Sequence, residues 1–412
     1  MAVGSLGDCL PLMEIGARLQ GRGHEVRFYG NDYFRRYADE LGLQFTATGN
    51  AAVYQAFLDS PAATDPQKGM RAVAAGVMDN VLSSHELMRK DVLPGSTIAI
   101  GSTFAFAPRL LSETHGVPVA VIHLAPAVLR SEHAAPRFSP LGHMARLPRL
   151  VKRLMWKTMD RKFMDPLYTV PFNTIRASLG LTPVERMFHG WLHRADAALC
   201  MVPAWFSPRQ PDWPAPMVMS GFGLADRGDR HPMPAHIAAF LDAGAPPVVV
   251  TAGTANAVSH DFFRTAIGAC SSIGMRAILV TADPKQLPQT LPDGMIHAAY
   301  VPFAALLPRA AAFIHHGGIG TVSQALRSGV PQLIRPMAFD QFDNASRVVQ
   351  LGAGRELPVR HFQELRVAGE LRSLLGDTAV AANCKRVAAS LIGEDGIGAA
   401  CDVLIDKLRP AA

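Results

Sequence analysis

The sequence predicts an α/β protein of two similar units, each a parallel sheet covered by helices. Short apolar runs alternate with longer amphipathic stretches along the whole chain, and one dense run of helix and strand breakers interrupts the pattern. In the first half the apolar runs are residues 25–29, 43–46, 97–101, 117–122 and 197–202. In the second they are residues 248–251, 277–281, 296–300, 311–315 and 332–335. Helical patterns lie between them, such as residues 10–21, where apolar residues recur at helical spacing before Gly21-Arg22-Gly23.

The breakers run from Pro203 to Pro234 and include Pro208, Pro211, Pro214, Pro216 and Pro232, with Gly221, Gly223 and Gly228 between them. They predict an extended linker without a regular element, and a boundary near residue 225. The domains expected are 1–225 and 226–412, the last helix crossing back to the first domain. The first strand of the first sheet should precede Gly4, where only Met1-Ala2-Val3 stand. This leaves either an unusually short strand or a natural start lying upstream.

A chain of 412 residues exceeds one compact core, and 49% hydrophobic with 18% charged residues describes a folded protein. No apolar run has the length of a bilayer span, and no basic-then-apolar leader opens the sequence. Cys9, Cys200, Cys270, Cys384 and Cys401 are odd in number and unpaired in spacing, which argues against zinc, against a disulfide framework, and for a reducing cytoplasm. The formal charge of +6 suits an anionic ligand or a membrane surface. Nucleic acid is not an expected partner, because no basic stretch is interleaved with aromatics as in a binding module.

The segment richest in chemistry is 311–343. An apolar strand runs into His315-His316-Gly317-Gly318-Ile319-Gly320-Thr321 and then into a helix over 322–328. Glycines at such a junction let backbone N–H groups approach phosphate oxygens, and the helix N-terminus adds partial positive charge. Thr321 caps the helix or bonds a phosphate. The histidines donate a hydrogen bond, or a charge if protonated, to a diphosphate leaving group, with no metal required. Beyond Gly329-Val330-Pro331, Asp340 and Gln341 pair an acid with an amide, which suits sugar hydroxyls, although Asp340 also fits a helix cap. Tyr300, before Val301-Pro302, is placed to stack on a base, with backbone groups at Val301 pairing its edge; simple packing is the other reading.

These segments resemble the donor half of the family 1 glycosyltransferases, whose GT-B fold sets two Rossmann-like domains facing each other across a cleft. The aromatic-x-Pro segment, the His-containing glycine turn, Gly-Val-Pro and the acid-Gln pair follow in the family's order. The resemblance implies that His316, Gly317, Gly318 and Thr321 hold the diphosphate, and that Asp340 and Gln341 hold the sugar. It gives Gly253-Thr254 a place near the phosphates. The donor expected is a dTDP- or UDP-sugar, with no cofactor. Gln324 stands where plant members carry a ribose-binding Glu, which leans toward a thymidine nucleotide.

At the other end, Gly4-Ser5-Leu6-Gly7-Asp8 is similar to the family's N-terminal turn, making Asp8 the expected general base of an inverting transfer. An N-cap is the structural role Asp8 would also fill. The acceptor side is expected around Ser5, Phe104 and His123, and in an insertion over 132–182. Within it, residues 144–157 are basic on one side and apolar on the other, either a solvated face or a surface for peripheral contact with the inner face of the membrane. The segment 203–214 and Ser220-Gly221-Phe222 resemble the rhamnosyltransferases of rhamnolipid biosynthesis, which implies L-rhamnose from dTDP-L-rhamnose and a hydroxy-fatty-acid acceptor. His316 departs from that branch, where proline stands, and is more like macrolide and sterol transferases. A nucleotide-sugar epimerase and a non-catalytic sugar-nucleotide-binding protein remain as other classes.

Overall fold

The computed structural model describes all residues except 61–65, 140–146, 216, 227, 229, 255–258 and 409–412. The described chain falls into two compact units. The first comprises Met1–Pro136, the stretch ending at Gly223, and the chain from Asp395 onward. The second comprises Leu224–Glu394 with the short segment beginning at Arg137.

In the first unit β1 (Arg27–Asn31) pairs parallel with β2 (Gln44–Gly49). A second sheet has the order β3 (Ala99–Ser102), β4 (Val119–His123), β5 (Ala197–Cys200), β6 (Met217–Met219), all parallel. The residues Met1-Ala2-Val3 join the two: Ala2 N–H bonds to Tyr29 O, Ser102 N–H to Met1 O, and Val3 N–H to Ser102 Oγ. These three residues thus run between β1 and β3 and bond to both. With them the order reads β2, β1, Met1–Val3, β3, β4, β5, β6, and the order reverses between Met1–Val3 and β3. In open parallel sheets ligands gather outside the strand C-termini at that reversal.

The breaker-rich stretch is more ordered than its composition predicts. Met217–Met219 forms β6 within it, because three residues that keep their N–H groups suffice to extend a sheet edge. Trp205, Phe206 and Phe222 pack edge to face, and Trp213 is buried. The helix Leu6–Gly21 starts four residues earlier than the apolar periodicity suggests, since Ser5 and Asp8 form its N-terminal cap. Against it lies the C-terminal helix Gly396–Lys407, through Arg18–Asp395 at 2.9 Å and Arg22–Asp402 at 2.6 Å.

The second unit holds one parallel sheet in the order β12 (Gly354–Glu356), β11 (Gln332–Ile334), β10 (Ala312–His315), β7 (Val248–Thr251), β8 (Ala277–Val280), β9 (Met295–Ala298). Strands β7, β8, β10 and β11 are buried throughout, which explains their unbroken apolar runs. Here the order reverses between β7 and β10. The loops after those strands are 252–254 and 316–318. All five cysteines are buried and free, and no helix among the described residues is long and apolar enough to cross a membrane.

Candidate active site

In the second unit, β10 delivers His315 and His316 to the reversal point with different duties. His315 is fully buried: Nε2 meets Gln332 Oε1 at 3.0 Å, and Nδ1 accepts from Gly317 N–H at 3.1 Å. Both nitrogens are engaged, so His315 shapes the turn and is not the phosphate donor expected of it. Burial, then the neighbouring His316, lower its pKa to about 3.

His316 is partly exposed, and its Nδ1 has no protein partner. Its ring lies between two glycines. A Cβ at Gly253 would stand 2.4 Å from His316 Cε1, and one at Gly318 would stand 2.5 Å from Nε2. Burial lowers its pKa to about 4, so His316 offers a neutral N–H and not the cation the sequence also allowed. Gly317, at φ +93, would place a Cβ 2.9 Å from Ile334. Only glycine fits this position.

The helix Ile319–Ser328 follows, with Gly318 as N-cap. Gly318 brings no capping side chain, so the first N–H groups of the helix keep their hydrogen-bonding capacity for a ligand. Nothing stands within 4 Å of a Cβ built at Gly320. Thr321 is the third residue of the helix and is partly exposed. Thr254 is exposed at the end of the loop after β7.

Asp340 is the N-cap residue of Gln341–Gln350, but its carboxylate caps no helical N–H. Instead Oδ2 accepts from Asn344 Nδ2 at 2.7 Å, and the same Nδ2 donates to Gly317 O at 3.0 Å. Asn344 is fully buried and ties the glycine turn to the acid. Sequence reasoning gave it no role, although it stands one helical turn after Asp340, the spacing at which side chains meet. Gln341 Oε1 accepts from Met337 N–H at 2.8 Å and Ala338 N–H at 3.2 Å, which fixes the side-chain amide and makes Nε2 its remaining donor. Phe339 precedes them with φ +54, a conformation bulky side chains rarely adopt.

Gln324 is buried, its Oε1 taken by Arg327 at 2.7 Å. Tyr300 lies beyond the end of β9 with its ring edge to face with His231 at 5.8 Å, and Val301 is buried in the core.

In the first unit, the turn after Met1–Val3 carries Asp8. Its Oδ2 accepts from Ser5 N–H at 2.7 Å and from Ser5 Oγ at 2.8 Å. Gly4, at φ +141, would place a Cβ 2.4 Å from that oxygen. Burial raises the carboxyl pKa, and the Ser5 bonds only partly oppose it. A carboxylate so held is part of the N-terminal cap, and its raised pKa lets it take up a proton more readily than an exposed carboxylate does.

After β3, Thr103 Oγ1 meets His123 Nδ1 at 2.9 Å, and His123 Nε2 meets His193 Nδ1 at 3.1 Å. His193 donates to the Phe188 carbonyl, which orients the chain: Thr103 donates to His123, and His123 to His193. His123 has no exposed surface, so it does not touch an acceptor itself; Thr103, partly exposed, is the group it presents. Arg109, buried over Trp191 at 5.0 Å, donates to Thr103 O at 2.8 Å. Phe104 packs with Phe106, Tyr168 and Phe188. No local pattern announces Thr103, Arg109 or His193, because their contacts span up to 70 residues.

The profile of the erythromycin biosynthesis protein CIII-like C-terminal domain matches residues 267–395. The chain is 30% identical over 412 residues to glycosyltransferase GtfC of Amycolatopsis orientalis, covering 98% of this chain and 96% of that protein. The solved glycotransferase of kitacinnamycin superposes with a TM-score of 0.74 at 20% identity, over 98% of this chain and 96% of that one. Spinosyn rhamnosyltransferase SpnG, solved with thymidine diphosphate, gives 0.63 at 19% identity, over 98% and 96%. The epimerase and non-catalytic readings fall away with these matches. The chain belongs to the family 1 glycosyltransferases of the GT-B fold, enzymes that draw on a nucleotide-sugar donor and need no metal or other cofactor.

Proposed function

We propose that the protein transfers L-rhamnose from dTDP-L-rhamnose, with inversion, to the hydroxyl of a hydrophobic acceptor of the (3-hydroxyalkanoyloxy)alkanoate kind. The observation that carries the transfer is the Asp8 carboxyl, raised in pKa and fixed by Ser5 under Gly4 at the strand-order reversal. Asp8 takes the acceptor hydroxyl proton as that oxygen attacks the anomeric carbon. The bond from the anomeric carbon to the diphosphate breaks on the opposite face. The departing charge is met by the N–H groups opening Ile319–Ser328 and by neutral His316. Asp340 and the Gln341 amide hold the sugar.

Uncharged Gln324, its oxygen already engaged by Arg327, supports a nucleotide lacking the 2′-hydroxyl. The likeness to a transferase solved with thymidine diphosphate is consistent with that donor. Partly exposed Phe104, backed by the buried Phe106, Tyr168 and Phe188, together with the rhamnolipid-type segment around Trp205, supports a hydrophobic acceptor. A macrolide-like or other aglycone is the second reading, supported by the likeness to the vancomycin aglycone glucosyltransferase of Amycolatopsis orientalis, 29% identical over 98% of this chain. Incubation with dTDP-rhamnose or UDP-glucose and either acceptor, read by mass spectrometry, tests both. Rhamnosylated lipid is expected; transfer of glucose alone refutes the rhamnose reading, and product only with the aglycone refutes the lipid reading.

A further inference from the structure

The helix Arg149–Met159 turns its apolar stripe away from the protein. At helical spacing Leu150, Val151, Leu154 and Met155 share one face, and that face is exposed, Leu150 at 73% and Leu154 at 65%. The buried face instead carries Lys152 and Trp156, each 3% exposed, with Asp160, 1% exposed, at the helix end. Lys152 Nζ donates to His133 O at 3.0 Å and Trp156 Nε1 to Ser131 O at 3.3 Å. Asp160 is held by Arg130 and by Arg186 Nε, the latter at 2.7 Å. These anchors fix the orientation, so the helix cannot roll its leucines inward without stripping buried charges of their partners. The exposed character continues into the π-helical stretch Asp160–Thr169, where Phe163 is 57% exposed.

The surroundings of the stripe are basic. Arg149–Met159 contains no acid. Lys157 borders the stripe, Arg161 and Lys162 follow at its end, and all three are exposed without an ion pair among the described residues. A solvated helix face would be polar, and a protein core would take the stripe inward. An apolar stripe edged by unpaired cations matches the boundary between anionic headgroups and acyl chains. A second copy of the chain fits poorly, because a two-fold contact on this face would bring the cations of one copy to the same cations of the other.

We propose that this face docks on an anionic lipid surface, Leu150, Leu154 and Phe163 entering the acyl boundary while Lys157, Arg161 and Lys162 meet headgroup phosphates. The docking rests on the lipid-acceptor reading for its purpose, and on the helix alone for its physics.

The test is co-sedimentation of the full chain with extruded vesicles, without donor or acceptor. Vesicles of phosphatidylcholine with phosphatidylglycerol are compared with phosphatidylcholine alone. Binding to the anionic vesicles is expected, weakening as salt is raised. Leu150→Gln with Leu154→Gln lowers it by about tenfold or more. Lys157→Gln, Arg161→Gln and Lys162→Gln each lower it by about fivefold. These side chains are exposed, and circular dichroism verifies that the variants fold. Equal vesicle binding by the parent and the double leucine variant, or none by the folded parent, overturns the proposal. So does sedimentation velocity showing a dimer that the leucine changes abolish. Vesicle binding without transfer to a lipid acceptor supports the docking and sinks the acceptor reading alone; transfer without vesicle binding does the reverse.

Discussion

The imidazole of His316 occupies the space that a side chain on Gly253 would need, a Cβ there standing 2.4 Å from Cε1. The two residues lie in loops after β10 and β7, which are neighbours in the sheet with His315 opposite Thr251. Gly253 is also at φ +81, where a side chain adds strain of about 1–3 kcal/mol. Gly253→Ala is therefore expected to displace His316 and to raise KM for the donor by about tenfold, since 1.4 kcal/mol is one decade. Steady-state kinetics over donor concentration reads this, and an unchanged KM would show that the contact does not serve the donor.

His316 stays neutral across the physiological range because burial holds its pKa at about 4. Its contribution to the diphosphate is then an N–H bond and not a charge. Donor affinity, measured by calorimetry with dTDP, is expected to be flat between about pH 5.5 and pH 8 as far as this residue is concerned. A rise in affinity on acidification that His316→Gln removes would contradict it.

The buried histidines also set an acid limit on stability. His315 and His193 each have a folded pKa of about 3, below the ordinary histidine value of 6.5. As pH falls below 6.5 the unfolded chain takes up protons that the folded chain refuses, so stability is full above that pH and declines toward pH 3. Each contributes a slope of about 1.4 kcal/mol per pH unit within the window. Urea unfolding of His315→Gln against pH checks it: the variant should show the shallower slope.

Asn344 Nδ2 holds both Gly317 O and the Asp340 carboxylate. Asn344→Ala leaves both without that donor, at about 1–3 kcal/mol of stability. Donor KM should rise with the melting change, because the turn and the acid lose their common fastener. Asn344→Asp should be worse for the donor, since it sets a second negative charge beside Asp340. Equal kinetics for the two variants would deny Asn344 this place.

Gln324→Glu tests the nucleotide preference. A carboxylate can accept from both ribose hydroxyls, and charged hydrogen bonds contribute about 1.5–3 kcal/mol. The ratio of kcat/KM for UDP-sugar to dTDP-sugar is expected to rise by at least about tenfold. A ratio that stays put places base discrimination elsewhere.

What was legible in the sequence follows from locality. Strands β7, β8, β10 and β11 are buried on both faces, so their apolar runs stood out within a residue or two at each end, whereas the partly exposed β12, with Arg355 and Glu356, was not foreseen. Asp8 read as a helix cap from its place at a loop-to-helix junction, and its part as a base came from the family resemblance alone. β6 escaped notice because three residues within a breaker-rich stretch carry no periodicity. His315 was misread for a different reason. Its partner Gln332 lies 17 residues away on the next strand, and only the sheet shows that its ring is already engaged. The helix after Pro148 displayed its amphipathicity in sequence, but which face met water depended on Lys152 and Asp160 finding buried partners. The residues 144–146 of that reading lie outside the described residues.

The central claim is that Asp8 is the base of a transfer whose donor is held by other residues. Its burial raises the carboxyl pKa, so the acid limb of kcat/KM should fall above the ordinary carboxylate range, with activity rising as pH increases through it. Asp8→Asn keeps the size of the side chain and removes the base. Transfer from dTDP-rhamnose, followed by mass spectrometry beside calorimetric binding of dTDP, is the decisive measurement. The account predicts a loss of kcat of at least about a hundredfold with dTDP affinity unchanged. Full activity in Asp8→Asn, or loss of nucleotide binding in parallel with activity, would contradict it.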